Sequence, residues 1–370
     1  MQKRQSTNYG ATLPVSSPGS EKDIAFTVIE PLGVIVCVTP FNYPIELYAQ
    51  KVAPALAGGN TVIVKPAQSN PLAIGRLVEL ALESGLPSDA IQFITGSGAK
   101  VGQWLSEHPG IDAISLTGST GVGIKIMQAA SSNLTRVFLE LGGNDANIIL
   151  DDADLDLAVE EITATRLQNT GQTCCAPKRL LVQKSINELC LKKLIDRISK
   201  INIGDPQDEK TDLSCLINST AVDSVVRDVD LTIKQGATLV YGGTRRDSTY
   251  YVPAILDDVT PEMDIARDME VFGPVFPVIS FDTDEDALEI ANASQFGLMG
   301  AVFSNNAQRA MTIASKMECG GVVFNGVSTY RTLDMPFGGY KKSGIGREGV
   351  LFTLEEMTQM KTIIMKSILK

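Results

Sequence analysis

The segment VIVCV at residues 34–38 decides the fold, because it is a short, fully apolar run that a helical pattern follows from Tyr43 to Leu56. A second apolar run, TVIV at residues 61–64, comes after a Gly-Gly pair, and strand and helix patterns then alternate as far as Ala130. Strands without polar positions are typical of a parallel sheet whose two faces are covered by crossover helices. The sequence therefore predicts an α/β fold with a buried parallel sheet.

The same alternation begins again after Gly143. It runs from an apolar strand at residues 147–150 to another at residues 322–324. A length of 370 residues is also typical of two domains. We therefore predict a second α/β domain, with an irregular or hairpin segment at residues 6–30 and a terminal strand at residues 361–366.

The composition excludes several classes of protein. Acidic residues outnumber basic ones, 43 to 32, and the net charge of −11 disfavours nucleic acid and anionic membranes as partners. A single histidine, His108, excludes multi-histidine metal sites, and its polar surroundings indicate a solvated turn, so we expect no bound metal. The six cysteines form no CxxC pair and no apolar run reaches about 18 residues, which favours a reduced, cytoplasmic protein without a membrane span.

Two adjacent cysteines, Cys174 and Cys175, follow the stretch NTGQT. A cysteine thiolate is a strong nucleophile towards carbonyl carbon when local donors or charges lower its pKa. On spacing alone, however, the favoured interpretation is burial of both side chains as small hydrophobic groups.

Three further motifs place polar groups at the ends of strands. Glu140 ends an apolar strand before two glycines. Apolar surroundings would raise the pKa of its carboxyl group and make it a general base. The alternative is a side chain that points to water. Asn42, in TPFNYP after the first strand, can donate its amide to an oxyanion. The glycine-rich turn LTGSTGVG at residues 116–123 precedes a helix, where backbone N–H groups suit a pyrophosphate.

Together these and other motifs resemble the aldehyde dehydrogenase superfamily over nearly the whole chain, from about Glu30 to Lys366. Seven motifs stand in the family's order: TPFNYP, VKPA, LTGSTGVG, ELGGN, GQTCC, EVFGPV and PFGGYKKSGIGREG. The resemblance implies a Rossmann-like cofactor domain, a catalytic α/β domain and an oligomerisation hairpin. The implied segments are an oligomerisation or bridging segment (1–30), an NAD(P)-binding domain (31–142), a catalytic domain (143–342) and a C-terminal return with an oligomerisation strand (343–370).

The resemblance also implies a role for each matching residue. Cys174 is the nucleophile, Glu140 is the base that activates the deacylating water, and Asn42 forms the oxyanion hole with the Cys174 backbone N–H. Phe337 lines the substrate channel. The residues implied for binding NAD or NADP are Lys65, Gln68, Gly118, Ser119, Leu141, Glu270 and Phe272.

The implied reaction oxidises an aldehyde to a carboxylate through a cysteine thiohemiacetal and a thioester. Coenzyme-A-acylating members lack the glutamate at the Glu140 position, so its presence favours release of the acyl group by water. Two alternatives stay open. One is a coenzyme-A-acylating enzyme, and the other is a catalytically silent or truncated homologue, because chains of this family normally begin well upstream of the TPFNYP strand.

Two positions leave the specificity open. Many NAD-preferring members carry glutamate where this chain has Gln68; an amide tolerates the 2′-phosphate of NADP, or else it bonds the ribose hydroxyls of NAD. ELGGN and GREG resemble the succinate-semialdehyde dehydrogenase branch, yet Gln168 replaces that branch's substrate-binding arginine. Arg331 lies in a segment that resembles lactaldehyde-oxidising branches; it binds an anionic tail or is an exposed loop arginine without a ligand.

Two further expectations concern Cys175 and assembly. Cys175 either captures a sulfenic acid formed on Cys174 or packs away from it. The two chain ends match the family's inter-subunit sheet, so the resemblance implies a homodimer or homotetramer.

Overall fold

The computed structural model describes residues 10–369. The chain forms two compact units, of which unit 1 comprises residues 10–139, 332–336 and 346–369, and unit 2 comprises residues 140–331 and 337–345. The first nine residues of the predicted 1–30 segment and Lys370 of the predicted 343–370 segment lie outside the described residues. The functions assigned to the four predicted segments stay predictions.

Strands alternate with helices along the chain. The strands of the described residues are β1 (Thr12–Leu13), β2 (Ile24–Pro31), β3 (Val34–Val38), β4 (Thr61–Lys65), β5 (Ile91–Phe93), β6 (Ala113–Thr117), β7 (Arg136–Glu140), β8 (Ala146–Ile149), β9 (Arg179–Gln183), β10 (Thr238–Tyr241), β11 (Ala254–Asp257), β12 (Val275–Phe281), β13 (Phe296–Gly297), β14 (Gly300–Phe303), β15 (Val322–Phe324), β16 (Tyr340–Lys341), β17 (Gly344–Ile345) and β18 (Thr358–Met365). The α-helices are α1 (Pro44–Ala57), α2 (Leu72–Glu83), α3 (Gln103–Glu107), α4 (Thr120–Ala130), α5 (Leu155–Leu167), α6 (Asn187–Ile198), α7 (Ser219–Lys234), α8 (Asp284–Asn292), α9 (Ala307–Ala314) and α10 (Val350–Glu356).

The main sheet of unit 1 has the strand order β7-β6-β3-β4-β5. β3 pairs in parallel with both β4 and β6, and β4 pairs in parallel with β5. Ile35, Val62 and Val64 of these strands are at most 1% exposed, and they pack in one cluster with Val52 of α1 and Ile74 of α2. Helices cover the apolar strands as the pattern predicts, so the buried parallel sheet is confirmed.

A smaller antiparallel sheet joins the two ends of unit 1 in the order β1-β2-β18. β2 and β18 pair over their full length, from Ile24 opposite Met365 to Pro31 opposite Thr358. A hairpin and a terminal strand are therefore both present, and β18 is longer than the predicted strand at residues 361–366.

The main sheet of unit 2 has the strand order β10-β11-β12-β9-β8-β14-β15. Neighbouring strands are parallel except for β10 and β11. Successive residues of one strand enter separate apolar clusters: Leu181 and Ile279 belong to one, and Leu180 and Val278 to the other. Because side chains alternate along a strand, both faces of this sheet are buried. The second α/β region is confirmed.

Three local features complete the fold. The helix predicted at residues 99–106 is a π-helical turn (Gly98–Gly102) followed by α3, because glycine weakens a regular α-helix. His108 is exposed after α3, and its Nδ1 accepts the Gly110 N–H at 3.0 Å, in agreement with the predicted turn. Within residues 10–369, no helix has the length and apolarity needed to cross a membrane, and no group of three His, Cys, Asp or Glu side chains is placed to hold a metal ion.

Candidate active site

The predicted residues of unit 1 follow three neighbouring parallel strands. Asn42 lies in the turn between β3 and α1, Lys65 ends β4, and Gly118 follows β6. Because β6, β3 and β4 are adjacent and parallel, their carboxyl ends meet at the same edge of the sheet. Ligands of open α/β sheets bind at such an edge.

The N-terminus of α4 has the geometry of an anion site. Ser119 is the residue before the helix and makes no side-chain capping hydrogen bond. Apart from the adjacent residues and the backbone of the helix itself, no atom lies within 4 Å of the position that a Cβ on Gly121 would occupy, so the first turn is open to a ligand. The helix dipole and the backbone N–H groups of this turn favour negative charge. The residues present therefore fit the pyrophosphate of a dinucleotide.

Lys65 and Gln68 lie in different surroundings around the end of β4. Lys65 is 4% exposed, its Nζ donates to the Pro66 carbonyl at 3.4 Å, and burial lowers the pKa of its ammonium group. Gln68 is exposed. A buried ammonium gains from additional hydroxyl acceptors, and a ribose carries such hydroxyls. The contact of Lys65 with the adenosine ribose and the two interpretations of Gln68 stay predictions.

In unit 2, two glycines allow the backbone after β7 to approach other motifs closely. A Cβ on Gly142 would lie 2.2 Å from Glu270 Oε2, and a Cβ on Gly143 would lie 2.7 Å from the carbonyl oxygen of Cys174. The Gly143 N–H donates to Glu270 Oε1 at 3.1 Å. The ELGGN, GQTCC and EVFGPV motifs therefore meet at this turn.

The predicted base is buried at the beginning of this turn. Glu140 ends β7 and is 6% exposed, which excludes the alternative of a side chain that points to water. Leu141 is also 6% exposed, and its N–H donates to the Ser343 carbonyl at 2.9 Å. Asn144 is turned inward, where its Nδ2 donates to two backbone carbonyls at 3.0 Å each. Its amide therefore stabilises the fold of unit 2.

The chain reaches Cys174 through a left-handed backbone. Asn169, Thr170 and Gly171 have φ angles of 48°, 57° and 76°. A Cβ on Gly171 would also lie 2.3 Å from the carbonyl oxygen of Gly273, so this position requires glycine for two reasons. The GQTCC and EVFGPV motifs are therefore in backbone contact.

A buried arginine holds the same two motifs together. Arg166 of α5 is fully buried and donates to the carbonyls of Gly171 at 3.4 Å, Val271 at 3.0 Å and Val275 at 2.8 Å. Burial lowers the pKa of Arg166 to about 9. Because the guanidinium bonds only to carbonyls in these contacts, its role here is to fix backbone rather than to neutralise a carboxylate.

The adjacent cysteines have opposite environments. Cys174 is half-buried, whereas Cys175 is 8% exposed and packs with Leu298 and Phe337. A hydrogen bond with the Cys175 thiol lowers the pKa of Cys174, and the nearby Lys178 ammonium lowers it further, against the effect of burial. The same hydrogen bond, together with burial, raises the pKa of Cys175 well above its ordinary value. Cys174 is therefore the thiol of the pair that ionises first.

Lys178 was not among the predicted site residues. Its side chain is 1% exposed, and its Nζ donates to the Gly143 carbonyl at 2.7 Å, the Cys174 carbonyl at 2.5 Å and Glu270 Oε1 at 2.6 Å. The same Nζ lies 5.5 Å from the centre of the Phe272 ring. A Lys-Arg pair directly before an apolar strand was the available signal, because buried charges require partners.

The two predicted substrate residues are stacked on each other. The Arg331 guanidinium carbon lies 4.1 Å from the centre of the Phe337 ring. Phe337 is 5% exposed and Arg331 is half-buried, so Arg331 is not a fully exposed loop arginine. A guanidinium that lies over an aromatic ring keeps its planar set of N–H donors, which suits recognition of a carboxylate or sulfonate.

Known proteins share this fold and these motifs. The aldehyde dehydrogenase family matches residues 2–363. A 3-sulfolactaldehyde dehydrogenase from Priestia aryabhattai is 40% identical over 358 residues, which are 96% of this chain and 74% of the relative. A lactaldehyde dehydrogenase from Methanococcus maripaludis (strain C7) is 36% identical, with 99% of this chain and 78% of the relative covered. The crystal structure of betaine aldehyde dehydrogenase from Staphylococcus aureus in complex with NAD+ has a TM-score of 0.95 and 36% identity, with 100% of this chain and 73% of that chain covered.

The fold and the family match define an oxidoreductase that acts on aldehydes with a nicotinamide dinucleotide. The chain belongs to the aldehyde dehydrogenase family. The predicted family, fold class and type of reaction are thereby confirmed.

Proposed function

We propose that the protein oxidises a short, anionic hydroxyaldehyde or semialdehyde to its carboxylate with NAD+ or NADP+, and that water releases the acyl group from Cys174. The observation that carries the proposal is the half-buried Cys174 thiol, whose pKa is lowered by the Cys175 thiol and by Lys178. An ionised thiol is what addition to an aldehyde carbon requires.

The residues of the chain account for the first step. The Cys174 thiolate adds to the aldehyde carbon, and the Asn42 amide and the Cys174 backbone N–H are proposed donors to the oxyanion that forms. A bound nicotinamide dinucleotide supplies the two-electron acceptor for the oxidation. The left-handed backbone at residues 169–171 fixes the segment that carries Cys174, which favours a preorganised nucleophile.

Glu140 is the proposed base for the second step. It removes a proton from the water that attacks the thioester on Cys174, and the carboxylate product leaves. Its burial at the end of β7 supports this role, because a carboxylate shielded from solvent is a stronger base. We therefore favour hydrolysis over transfer of the acyl group to coenzyme A.

The cofactor residues are proposed from their positions. Lys65 and Gln68 contact the adenosine ribose, and Gly118 and Ser119 contact the pyrophosphate. Leu141, Glu270 and Phe272 contact the nicotinamide half. Because Gln68 carries no charge to repel a 2′-phosphate, we propose that NADP+ is accepted as well as NAD+. Introducing that charge with Gln68→Glu should lower kcat/KM for NADP+ much more than for NAD+; equal effects on both would contradict the proposal.

Arg331 and Phe337 support the proposed substrate class. An arginine stacked on a buried ring offers charge-assisted hydrogen bonds to a carboxylate or sulfonate. The names of the two similar enzymes above denote aldehydes of the lactaldehyde type, one that carries a sulfonate and one that carries no charge. An anionic tail on a hydroxyaldehyde therefore fits the sulfonate-bearing substrate of the first relative and the arginine of this chain.

The test is NAD(P)H formation with succinate semialdehyde, 3-sulfolactaldehyde and uncharged lactaldehyde, each with and without coenzyme A. We expect turnover without coenzyme A and a higher kcat/KM for the anionic substrates. Arg331→Met should lower kcat/KM for the anionic substrates by about tenfold or more, and that for lactaldehyde much less. Cofactor binding without turnover of any aldehyde would instead identify a silent homologue, and a strict coenzyme A requirement would identify an acylating enzyme.

We also propose a homo-oligomer that works in the cytoplasm. Met360 and Ile364 on β18 are 67% and 62% exposed, and such an apolar strand suits pairing with a second copy. The cysteines Cys37, Cys174, Cys175, Cys190, Cys215 and Cys319 are all free thiols, which favours a reducing compartment. Light scattering on the purified chain tests the assembly; a monomer at micromolar concentration would contradict it.

A further inference from the structure

The ammonium group of Lys178 uses its three donors within unit 2. They reach the carbonyls of Gly143 and Cys174 at 2.7 and 2.5 Å and Glu270 Oε1 at 2.6 Å. An ammonium group has three N–H donors and no acceptor, so these contacts satisfy it completely. At 1% exposure the charge is shielded from water, which makes Glu270 its counter-ion.

Two donors hold one carboxylate oxygen of Glu270. Its Oε1 accepts both the Lys178 ammonium and the Gly143 N–H, the latter at 3.1 Å. Its Oε2 lies on the side where Gly142 has no side chain, since a Cβ there would be 2.2 Å away. The Glu270 side chain is 20% exposed. One oxygen is therefore held by the protein while the carboxylate keeps access to a ligand hydroxyl.

The same ammonium also holds the segment that carries the nucleophile, through the carbonyl of Cys174 itself. We propose that Lys178 is a positioning residue that ties the cofactor-binding carboxylate of Glu270 to the backbone of Cys174. This inference rests on the proposed function, which assigns Glu270 to the nicotinamide ribose and Cys174 to the substrate. In this arrangement one side chain, which contacts neither substrate nor cofactor, fixes the position of the Glu270 carboxylate relative to that of Cys174.

The charges around Cys174 predict in which direction its pKa shifts when either Lys178 or Glu270 is replaced. Lys178 lowers the pKa of Cys174 and Glu270 raises it, while the Cys175 thiol lowers it. Asp145, another acidic group near Cys174, is buried, and burial raises its own pKa well above the ordinary value. Loss of the Lys178 charge should therefore raise the pKa of Cys174, and loss of the Glu270 charge should lower it. A general loss of packing does not produce opposite shifts.

The first experiment is a double-mutant cycle on NAD+ binding, measured by calorimetry with the full chain. Lys178→Met and Glu270→Gln should each weaken binding by about tenfold, the effect of one charge-assisted hydrogen bond. The double variant should bind about as the weaker single variant does, because Lys178 acts through Glu270. Lys51→Met is the matched control: Lys51 forms a buried pair with Glu348 at 2.7 Å in unit 1, and its effect should add to that of Glu270→Gln.

The second experiment is the pH dependence of iodoacetamide alkylation of Cys174 in the cofactor-free chain. The midpoint should move up in Lys178→Met and down in Glu270→Gln. If Lys178→Met does not fold, Lys178→Gln removes the same charge, keeps two donors and carries the same expectations. Additive binding effects, or midpoints that move in the same direction, would overturn the inference and leave the proposed function standing. A wild-type chain that binds neither NAD+ nor NADP+ would overturn both.

Discussion

The two units hold their motif residues by different means. In unit 1, Asn42 and Lys65 lie where adjacent parallel strands end, so the topology of the sheet places them. In unit 2, Cys174 follows three left-handed residues, and buried cations bond the carbonyls around it: Arg166 holds Gly171, and Lys178 holds Cys174. A position set by topology depends on the whole sheet, whereas a position set by particular donors depends on a few side chains.

This difference predicts where substitutions are most damaging. A loop held in a left-handed conformation by buried donors has few ways to relax, because each donor is satisfied by particular carbonyls. Turns after parallel strands tolerate more change, because the strands on both sides keep their position.

Replacing the proposed nucleophile should abolish turnover. Cys174→Ala should lower kcat by about 10⁴-fold or more while NAD+ binding persists, because the thiol forms the covalent intermediate. Cys175→Ala is the matched control at the adjacent position and should retain turnover, because it keeps the thiol of Cys174. Steady-state NADH formation measures both variants. Loss of turnover in Cys175→Ala together with an active Cys174→Ala would contradict the assignment.

Replacement by alanine should lower the free energy of unfolding by different amounts at two glycines that have similar φ angles, one in each unit. Gly171 has a φ of 76° and a Cβ there would lie 2.3 Å from the Gly273 carbonyl, whereas Gly19 has a φ of 86° with nothing within 4 Å. Gly171→Ala should lower the free energy of unfolding by about 3 kcal/mol or more, through strain and overlap together. Gly19→Ala should cost about 1 kcal/mol, from strain alone. Denaturant unfolding measures both, and equal costs would show that the GQTCC loop relaxes easily.

The smallest predicted effect is a shift in the pH dependence of Cys174. Because a hydrogen bond with the Cys175 thiol lowers the pKa of Cys174, Cys175→Ala should move the midpoint of iodoacetamide alkylation to higher pH. Cys175→Ser keeps a donor and should move it less. Below this midpoint the thiol is protonated, so the rate of the alanine variant should fall most at neutral pH. An unchanged midpoint in both variants would show that the Cys175 thiol does not lower the pKa of Cys174.

Much of unit 1 could be predicted from the sequence because its signals are local. Apolar runs identify the strands, and the turn that follows each run, which contains Asn42 or Gly118, is then at the ligand-binding edge. The assignment of Cys174 as the nucleophile needed a signal beyond the local sequence, since the spacing of the cysteines alone favoured a buried thiol. It came from seven motifs in order, each of which is weak by itself.

The partners of Lys178 could not be predicted, because they are distant along the chain. Gly143 is 35 residues away and Glu270 is 92 residues away, and no periodicity relates such positions. The left-handed conformations of Asn169 and Thr170 were also not predictable, since residues with side chains adopt them only where tertiary contacts enforce them. Sequence patterns thus pointed to the residues that we propose carry the chemistry, while the groups that hold them emerged from packing.

The central claim is that Cys174 carries an acyl group that water, activated by Glu140, removes. The most direct test mixes Glu140→Gln with NAD+ and an aldehyde substrate, and follows NADH together with the intact mass of the protein. We predict a burst of one NADH per active chain, an acyl adduct on the peptide that contains Cys174, and steady turnover reduced by about 10²- to 10⁴-fold. Steady turnover at the wild-type rate, or an unmodified Cys174 peptide with no burst, would contradict the account.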